Sequence, residues 1–239
     1  MTTGTENENE IISEFVNKMD YRDLNDNLKN VLLIINNNRK PKSFSSKKYG
    51  GKNKADLSIT IDGKEYMISV KKGSGNSLHQ ESIEDFIAFL TKDIEKNESV
   101  FNDLRYFIWG DGSLDGTAPI NKRISATVMK KKYPLKIENI QNYFNKHLMK
   151  LTNRFVIYGS VSKNKVDFLL YGDITNCIVV AETKVIDFVN NTIKKPVSIG
   201  VLTFQAWNRN INGGNKSEHK RGVIQLKWGT LKNDLKKIK

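Results

Sequence analysis

The clearest pattern in the chain is an alternation of apolar and polar side chains on either side of Asp62-Gly63. Leu57, Ile59 and Ile61 alternate with Asp56, Ser58 and Thr60; beyond the turn, Tyr66, Ile68 and Val70 alternate with Met67, Ser69 and Lys71. A period of two marks a half-buried strand, and Asp-Gly is a favoured two-residue hairpin turn. The pattern predicts strands over 55–61 and 65–71. In that register Ile61 faces Lys64 and Asp56 faces Ser69, with Lys71 one same-face step further along.

Helical spacing dominates on both sides of the hairpin. Ile11, Ile12, Phe15, Val16 and Met19, then Leu24, Leu28, Val31, Leu32 and Ile35, predict two helices or one bent near Asp20, after a disordered stretch over 1–10. Ser77 with Gln80 three residues on reads as a capping box opening a helix from about Leu78 to Lys96, with Ile83, Phe86, Ile87, Leu90 and Ile94 as its apolar stripe. Leu104–Trp109 reads as a strand, which a crossover would return to the hairpin's sheet. Ile137, Ile140, Tyr143, Phe144, Leu148 and Leu151 mark a further helix. Phe155–Tyr158, Val166–Tyr171 and Cys177–Ala181 read as strands, the last two apolar on both faces and therefore central. The expected architecture is an α/β (α+β) domain with a central mixed sheet flanked by helices. No internal repeat or domain boundary interrupts 1–239, so one domain is expected.

Charge changes the picture. The 239 residues carry 39 Lys and Arg against 26 Asp and Glu, a net charge of +13. Such an excess attracts polyanions. The basic residues gather in 39–54, 121–136 and 207–239. A single cysteine, Cys177, excludes an internal disulfide and suits a reducing cytoplasm, where it reads as a small buried hydrophobe. With only three histidines, far apart, a Cys/His zinc site is not expected. No signal peptide and no apolar run of membrane-spanning length is seen.

The hairpin register gathers Asp56, Ser69 and Lys71 on its polar face. A carboxylate holds a hard divalent cation, the cation acidifies a bound water and offsets phosphate charge, and a nearby ammonium orients that water. The group therefore suits phosphodiester hydrolysis. One carboxylate rarely holds magnesium. On the expected helix, Glu84 flanks the apolar stripe near the first turn and is the candidate second carboxylate, with Glu81 a weaker one.

The strands Ala55-Asp56-Leu57 and Ser69-Val70-Lys71 resemble the PD-(D/E)XK nuclease superfamily, which places an Asp on one strand and an acidic-x-Lys on the next. Ala55 replaces the usual Pro and Ser69 the usual acid. A subset of restriction endonucleases resembles this variant, with Ser-x-Lys and a displaced Glu on the following helix; Lys71 and Glu84 have twelve residues between them. The resemblance covers roughly 11–110, the candidate nuclease core, with 111–239 supplying further elements and DNA-binding segments. It implies a Mg²⁺-dependent endonuclease of type II restriction character, with Mn²⁺ able to substitute and no small-molecule cofactor. Asp56 and Glu84 would hold the metal with the Val70 carbonyl, Lys71 would position or activate the attacking water, and Glu14 would match an acid of the preceding helix. It further implies duplex DNA as partner, a homodimer cutting both strands (a monomer stays open), and a prokaryotic cytoplasm. The residues expected to grip DNA are Lys47, Lys48, Lys52, Lys72, Asn76, Arg209, Lys216 and Arg221. A non-enzymatic DNA- or RNA-binding protein is the alternative.

A second hairpin competes. Asp167 with Glu182-Thr183-Lys184 fits the unmodified motif better in residue type, and its register sets Asp167 opposite Glu182. Gly110–Gly116 reads as a plain polar turn rather than a calcium loop, since the terminal Glu is missing. Lys72–Asn76 lacks the spacing of a nucleotide-binding loop, and His79 reads as a surface residue. Trp207 and Trp228, with their basic neighbours, either stack on bases or belong to a core.

Overall fold

A computed structural model describes residues 4–18, 20–49, 53–74, 76–160, 164–192 and 196–239. The chain opens with α1 (Gly4–Asn17) and α2 (Asp26–Ile35), followed by β1 (Phe44–Lys48), β2 (Leu57–Ile61), β3 (Lys64–Lys71) and β4 (Ser77–Ser82). Next come α3 (Ile83–Phe89), α4 (Glu98–Trp109), α5 (Ala126–Lys132), α6 (Pro134–Lys146) and α7 (Leu148–Thr152). The remainder runs through β5 (Phe168–Asp173), β6 (Asn176–Ala181), α8 (Glu182–Asn191), β7 (Ser198–Ile199), β8 (Leu202–Ala206), β9 (Val223–Lys227) and α9 (Leu231–Ile238). The protein is thus mixed α and β. No described helix is long and apolar enough to cross a membrane.

The chain divides into two compact units, the first formed by Met1–Asn76, Asn153–Phe188 and Gly229–Lys239, the second by Ser77–Thr152 and Val189–Trp228. Each unit is assembled from separate stretches of chain, so no composition shift or linker marks the division in the sequence.

In the first unit a five-stranded sheet has the order β1-β2-β3-β5-β6. Strands β1, β2 and β3 form an antiparallel meander, β5 runs parallel to β3, and β6 returns antiparallel to β5. The hairpin register is the expected one, with Ile61 opposite Lys64 and Leu57 opposite Ile68. Asp62 and Gly63 both have positive φ, which a tight hairpin turn of the mirror-image type requires. One sheet face, carrying Leu57, Ile59, Ile61, Ile68 and Val70, is buried in a core with Ile11 and Phe15 of α1 and Leu28, Val31, Leu32 and Ile35 of α2. Of the stretch expected to be disordered, residues 1–3 lie outside the described residues, and residues 4–10 form the first half of α1. Asn7 within it is fully buried, and its side-chain N–H₂ donates to the Gly172 carbonyl at 2.8 Å.

The second unit holds a four-stranded sheet of order β4-β9-β8-β7 and a core in which Phe86, Phe107, Phe144 and Phe204 pack ring against ring. Three expectations are corrected, all in short segments where local signals were ambiguous. Ser77–Ser82 is a strand paired with β9, and the helix begins only at Ile83, capped by Ser82, whose hydroxyl accepts from the Asp85 N–H at 3.0 Å. Leu104–Trp109 is the end of α4: its buried residues Val100, Phe101, Leu104, Phe107 and Ile108 follow a helical period that begins before the apolar run, with Asn97 capping one end and Gly110, left-handed, the other. Phe155–Tyr158 belongs to a wide helical turn over Asn153–Tyr158. The strand that joins the hairpin's sheet through a parallel crossover is β5.

Candidate active site

Asp56 sits just before β2, held from both sides. Its N–H donates to the Ile68 carbonyl at 2.9 Å and its carbonyl accepts from the Tyr49 N–H at 3.0 Å. The backbone thus fixes where its side chain goes. Its Oδ2 accepts three bonds from the next strand: the Val70 N–H at 2.6 Å, the Ser69 hydroxyl at 3.1 Å and the Lys71 ammonium at 3.2 Å. Oδ1 takes none of the three. The Lys71 ammonium also donates to the Val70 carbonyl at 2.8 Å. A positive charge therefore rests where a carboxylate and a backbone carbonyl converge. The pair is partly open, with 18% of the Lys71 side chain and 25% of the Asp56 side chain exposed.

Two further charged residues belong to this cluster: Glu8, which no motif points to, and Lys54, the last residue of the basic segment 39–54. Glu8, in the N-terminal part of α1, has its carboxyl raised above the usual range, first by burial and then by repulsion from Asp56, with Lys48 and Lys71 opposing. Lys54, between β1 and β2, is 9% exposed, and burial followed by repulsion from Lys71 pushes its ammonium down to about 7. Gly159 makes room for it: a Cβ there would lie 3.3 Å from the Lys54 Cβ. Around the site, the Lys48 ammonium donates to Asn9 Oδ1 at 2.8 Å, while Lys72 donates to Asn7 Oδ1 at 3.3 Å and pairs with Asp173 at 3.2 Å. The open N-terminal end of α1 is thereby tied to the ends of β1 and β3.

Glu84 and Glu81 belong to the second unit. The Glu84 carboxylate receives the Arg105 guanidinium in a two-bond fork of 2.9 and 2.7 Å. Glu81 is buried on β4 beside His79, 3.1 Å away, so His79 is buried too. The helix begins at Ile83 rather than near Leu78, so Glu84 lies in its first turn, where Arg105 holds it. The acid on the preceding helix that bears on Asp56 is Glu8 rather than Glu14.

The competing hairpin is formed in the expected register, the Glu182 N–H donating to the Asp167 carbonyl at 2.9 Å. Its two carboxylates share a lysine other than the expected one: the Lys165 ammonium lies 2.9 Å from Glu182 and 3.9 Å from Asp167, Asp167 Oδ2 also accepts from the Met67 N–H at 2.8 Å, and Lys184 projects exposed from α8 rather than from a strand.

The expected DNA-contacting residues divide. Lys47 is well exposed while pairing with Glu65 at 2.8 Å, and Lys216 is exposed on a short helical turn over Asn215–Lys220. Asn76 is buried. Lys52 lies outside the described residues. Arg209 and Arg221 are corrected to internal roles. Arg209 is buried over the Phe107 ring and donates to the Phe107 carbonyl, and burial lowers its guanidinium to about 10. Arg221 pairs with Asp111 at 2.7 Å and Glu218 at 3.0 Å, which makes the Gly110–Gly116 turn the seat of a buried carboxylate. Trp228 is a core residue, fully buried, and Trp207 is 38% exposed. Cys177 is half-buried, with burial pushing its thiol up to about 11.

Among the described residues, no three or more His, Cys, Asp or Glu side chains group closely enough to hold a metal by themselves. The set near Lys71 is two carboxylates, Asp56 and Glu8, with the Val70 carbonyl. All are hard oxygen donors, and the burial and the repulsion from Asp56 that together raise Glu8 are what a divalent cation offsets. The donors fit Mg²⁺ with water completing the shell. No protein-family model matches the sequence, and no curated protein matches it either.

Proposed function

We propose that the protein is a Mg²⁺-dependent nuclease that hydrolyses phosphodiester bonds of duplex DNA, with a core of the PD-(D/E)XK kind. The observation that carries this reading is the convergence of Asp56, the Val70 carbonyl and Lys71 at one point on the polar end of the hairpin. The strand arrangement supports it: a helix, an antiparallel meander and a fourth strand parallel to the third place that point at the open ends of parallel neighbours, where α/β sheets commonly bind ligands. Asp56, Glu8 and the Val70 carbonyl would hold the metal. The cation would supply charge neutralisation at the phosphate and acidify a bound water. Lys71 would orient the attacking water and offset the developing negative charge, while the Ser69 hydroxyl, donating to Asp56 Oδ2, holds that carboxylate in place. Lys48 and Lys71 match the two acids, and Lys54, lowered to about 7, becomes fully charged when an anion binds beside it, which favours an anionic substrate.

Restriction-type cutting by a homodimer in a prokaryotic cytoplasm is the biological form of this reading. The test is incubation with plasmid and phage DNA in Mg²⁺, Mn²⁺, Ca²⁺ or EDTA. Cutting in Mg²⁺ and Mn²⁺, little in Ca²⁺ and none in EDTA is expected; discrete fragments would establish sequence specificity. Cutting in EDTA, or none under any condition, overturns the reading. One observation favours a binding-only protein instead: Ser69 stands where the motif has an acid, and Lys71 is already paired. Salt-sensitive DNA binding without cleavage would select that alternative.

A further inference from the structure

The second unit contains a surface loop held more firmly than a connection requires. Between β8 and β9 the chain runs through 208–220, and its shape is fixed from beneath by charged side chains that are themselves largely buried. Arg123 donates to the Asn210 carbonyl at 3.0 Å and grips Glu218 in a fork of 3.0 and 2.9 Å. Asn210, with positive φ, donates from its side chain to the Gly214 carbonyl at 2.9 Å and to Glu218 at 2.5 Å. Arg221 links Glu218 to the buried Asp111 and lies over the Trp109 ring. Gly213 has a positive φ, a conformation that residues with a Cβ rarely adopt. The bracing consumes the loop's acid, Glu218, whose carboxyl is held down at about 2 by Asn210 and the two arginines.

What the braced loop presents outward is different in kind. Ile211, Asn212, Asn215 and Lys216 are exposed, and Trp207 stands exposed at its root with the Lys220 ammonium 5.2 Å from its ring centre. Carboxamides on a rigid support pair with adenine edges in the major groove, apolar side chains meet thymine methyl groups, and ammonium groups hold phosphates. Loops that carry function are those held in place by a stiff scaffold.

We propose that the loop 208–216 reads base sequence in duplex DNA, with Asn212 and Asn215 contacting base edges, Ile211 and Trp207 forming the apolar contacts, and Lys216 and Lys220 anchoring the backbone. The proposal rests on the nuclease reading and assigns its specificity to a part of the chain separate from the hairpin. The double variant Asn212→Ala/Asn215→Ala changes only exposed side chains, so its melting temperature should match the wild type.

The experiment is selection from a randomised duplex pool in EDTA, where metal-dependent cutting is off, with a randomised RNA pool alongside. The wild-type protein should enrich one duplex sequence. The double variant should lose preference at adenine-containing positions by on the order of ten- to a hundredfold, while its affinity for unrelated duplex stays within about twofold. The same enriched sequence from both proteins, no enriched duplex from the wild type, or enrichment from the RNA pool would each overturn the proposal. The Mg²⁺ plasmid assay separates the two readings: selection without cutting removes the nuclease and keeps the loop, whereas cutting without selection does the reverse.

Discussion

Each unit contains an ion pair between an aspartate and a long basic side chain, and the two pairs are built differently. In the second unit Asp111 and Arg221 expose none and 5% of their side chains, and each has further partners in Ser113, Glu218 and the Gly116 carbonyl. In the first unit Asp56 and Lys71 keep 25% and 18% exposed, beside a carboxyl raised by burial and by repulsion from Asp56, and an ammonium lowered by burial. One cluster is electrically closed. The other brings like charges together and leaves an open side. Opposite charges buried against one another serve shape, whereas groups held with unrelieved repulsion in a reachable place are poised for a ligand or a reaction.

The largest effect that would break this contrast is on cleavage. Asp56→Ala and Lys71→Ala should each lower the rate by about a hundredfold or more, as removal of one preorganised electrostatic group does. Lys71→Ala should keep a near wild-type melting temperature, because the pair is partly solvated, whereas Asp56→Ala also strands the buried Val70 N–H and Ser69 hydroxyl and should cost about 1–3 kcal/mol while staying folded. A folded Asp56→Ala protein with full activity would remove the hairpin as the site. If activity then vanished in a folded Glu182→Ala protein, the site would move to the second hairpin.

The closed cluster should fail in the opposite way. Arg221→Ala leaves Asp111 buried without its cation and should cost about 3–5 kcal/mol of stability. Thermal and urea unfolding measure that cost. Arg221→Ala with an unchanged melting temperature would show that the cluster does not brace the loop.

Glu8 gives a smaller effect with a definite sign. Its folded carboxyl titrates above its ordinary value of 4.5. Its contribution to stability is therefore full below that value and is lost as pH rises through the folded value. In metal-free buffer Glu8→Gln should melt higher than the wild type at pH 7, with the difference closing below about pH 4.5. Mg²⁺ at ten times its Kd should stabilise the wild type by about 1.4 kcal/mol, and the variant by less. Equal Mg²⁺ shifts in the two proteins would take Glu8 out of the site.

The smallest effect is expected at Glu84. Its pair with Arg105 leaves 57% of the carboxylate side chain exposed, so Glu84→Ala should cost less than about 1 kcal/mol and leave cleavage unchanged. A well-folded Glu84→Ala protein without activity would restore the displaced-glutamate arrangement and sharpen the question of how the two units cooperate.

The sequence by itself determined the hairpin, its register and the meeting of Asp56, Ser69 and Lys71. A tight Asp-Gly turn and a strict period of two are local, and together they leave no freedom about which residues face each other. It also determined the β5–β6 pairing, which follows from the same kind of signal across a short turn. Only the tertiary structure decided that Ser77–Ser82 is a strand, because its pairing partner, β9, lies far along the chain and a capping-box pattern occurs there without a helix. Tertiary structure alone brought Glu8 to the hairpin, since α1 is positioned by burial of Ile11 and Phe15 rather than by any polar motif, and it buried Lys54 two residues before Asp56. It also turned Arg209 and Arg221 inward: composition gives the charge of a segment, and the direction of each side chain depends on which aromatic ring or carboxylate the fold places beneath it.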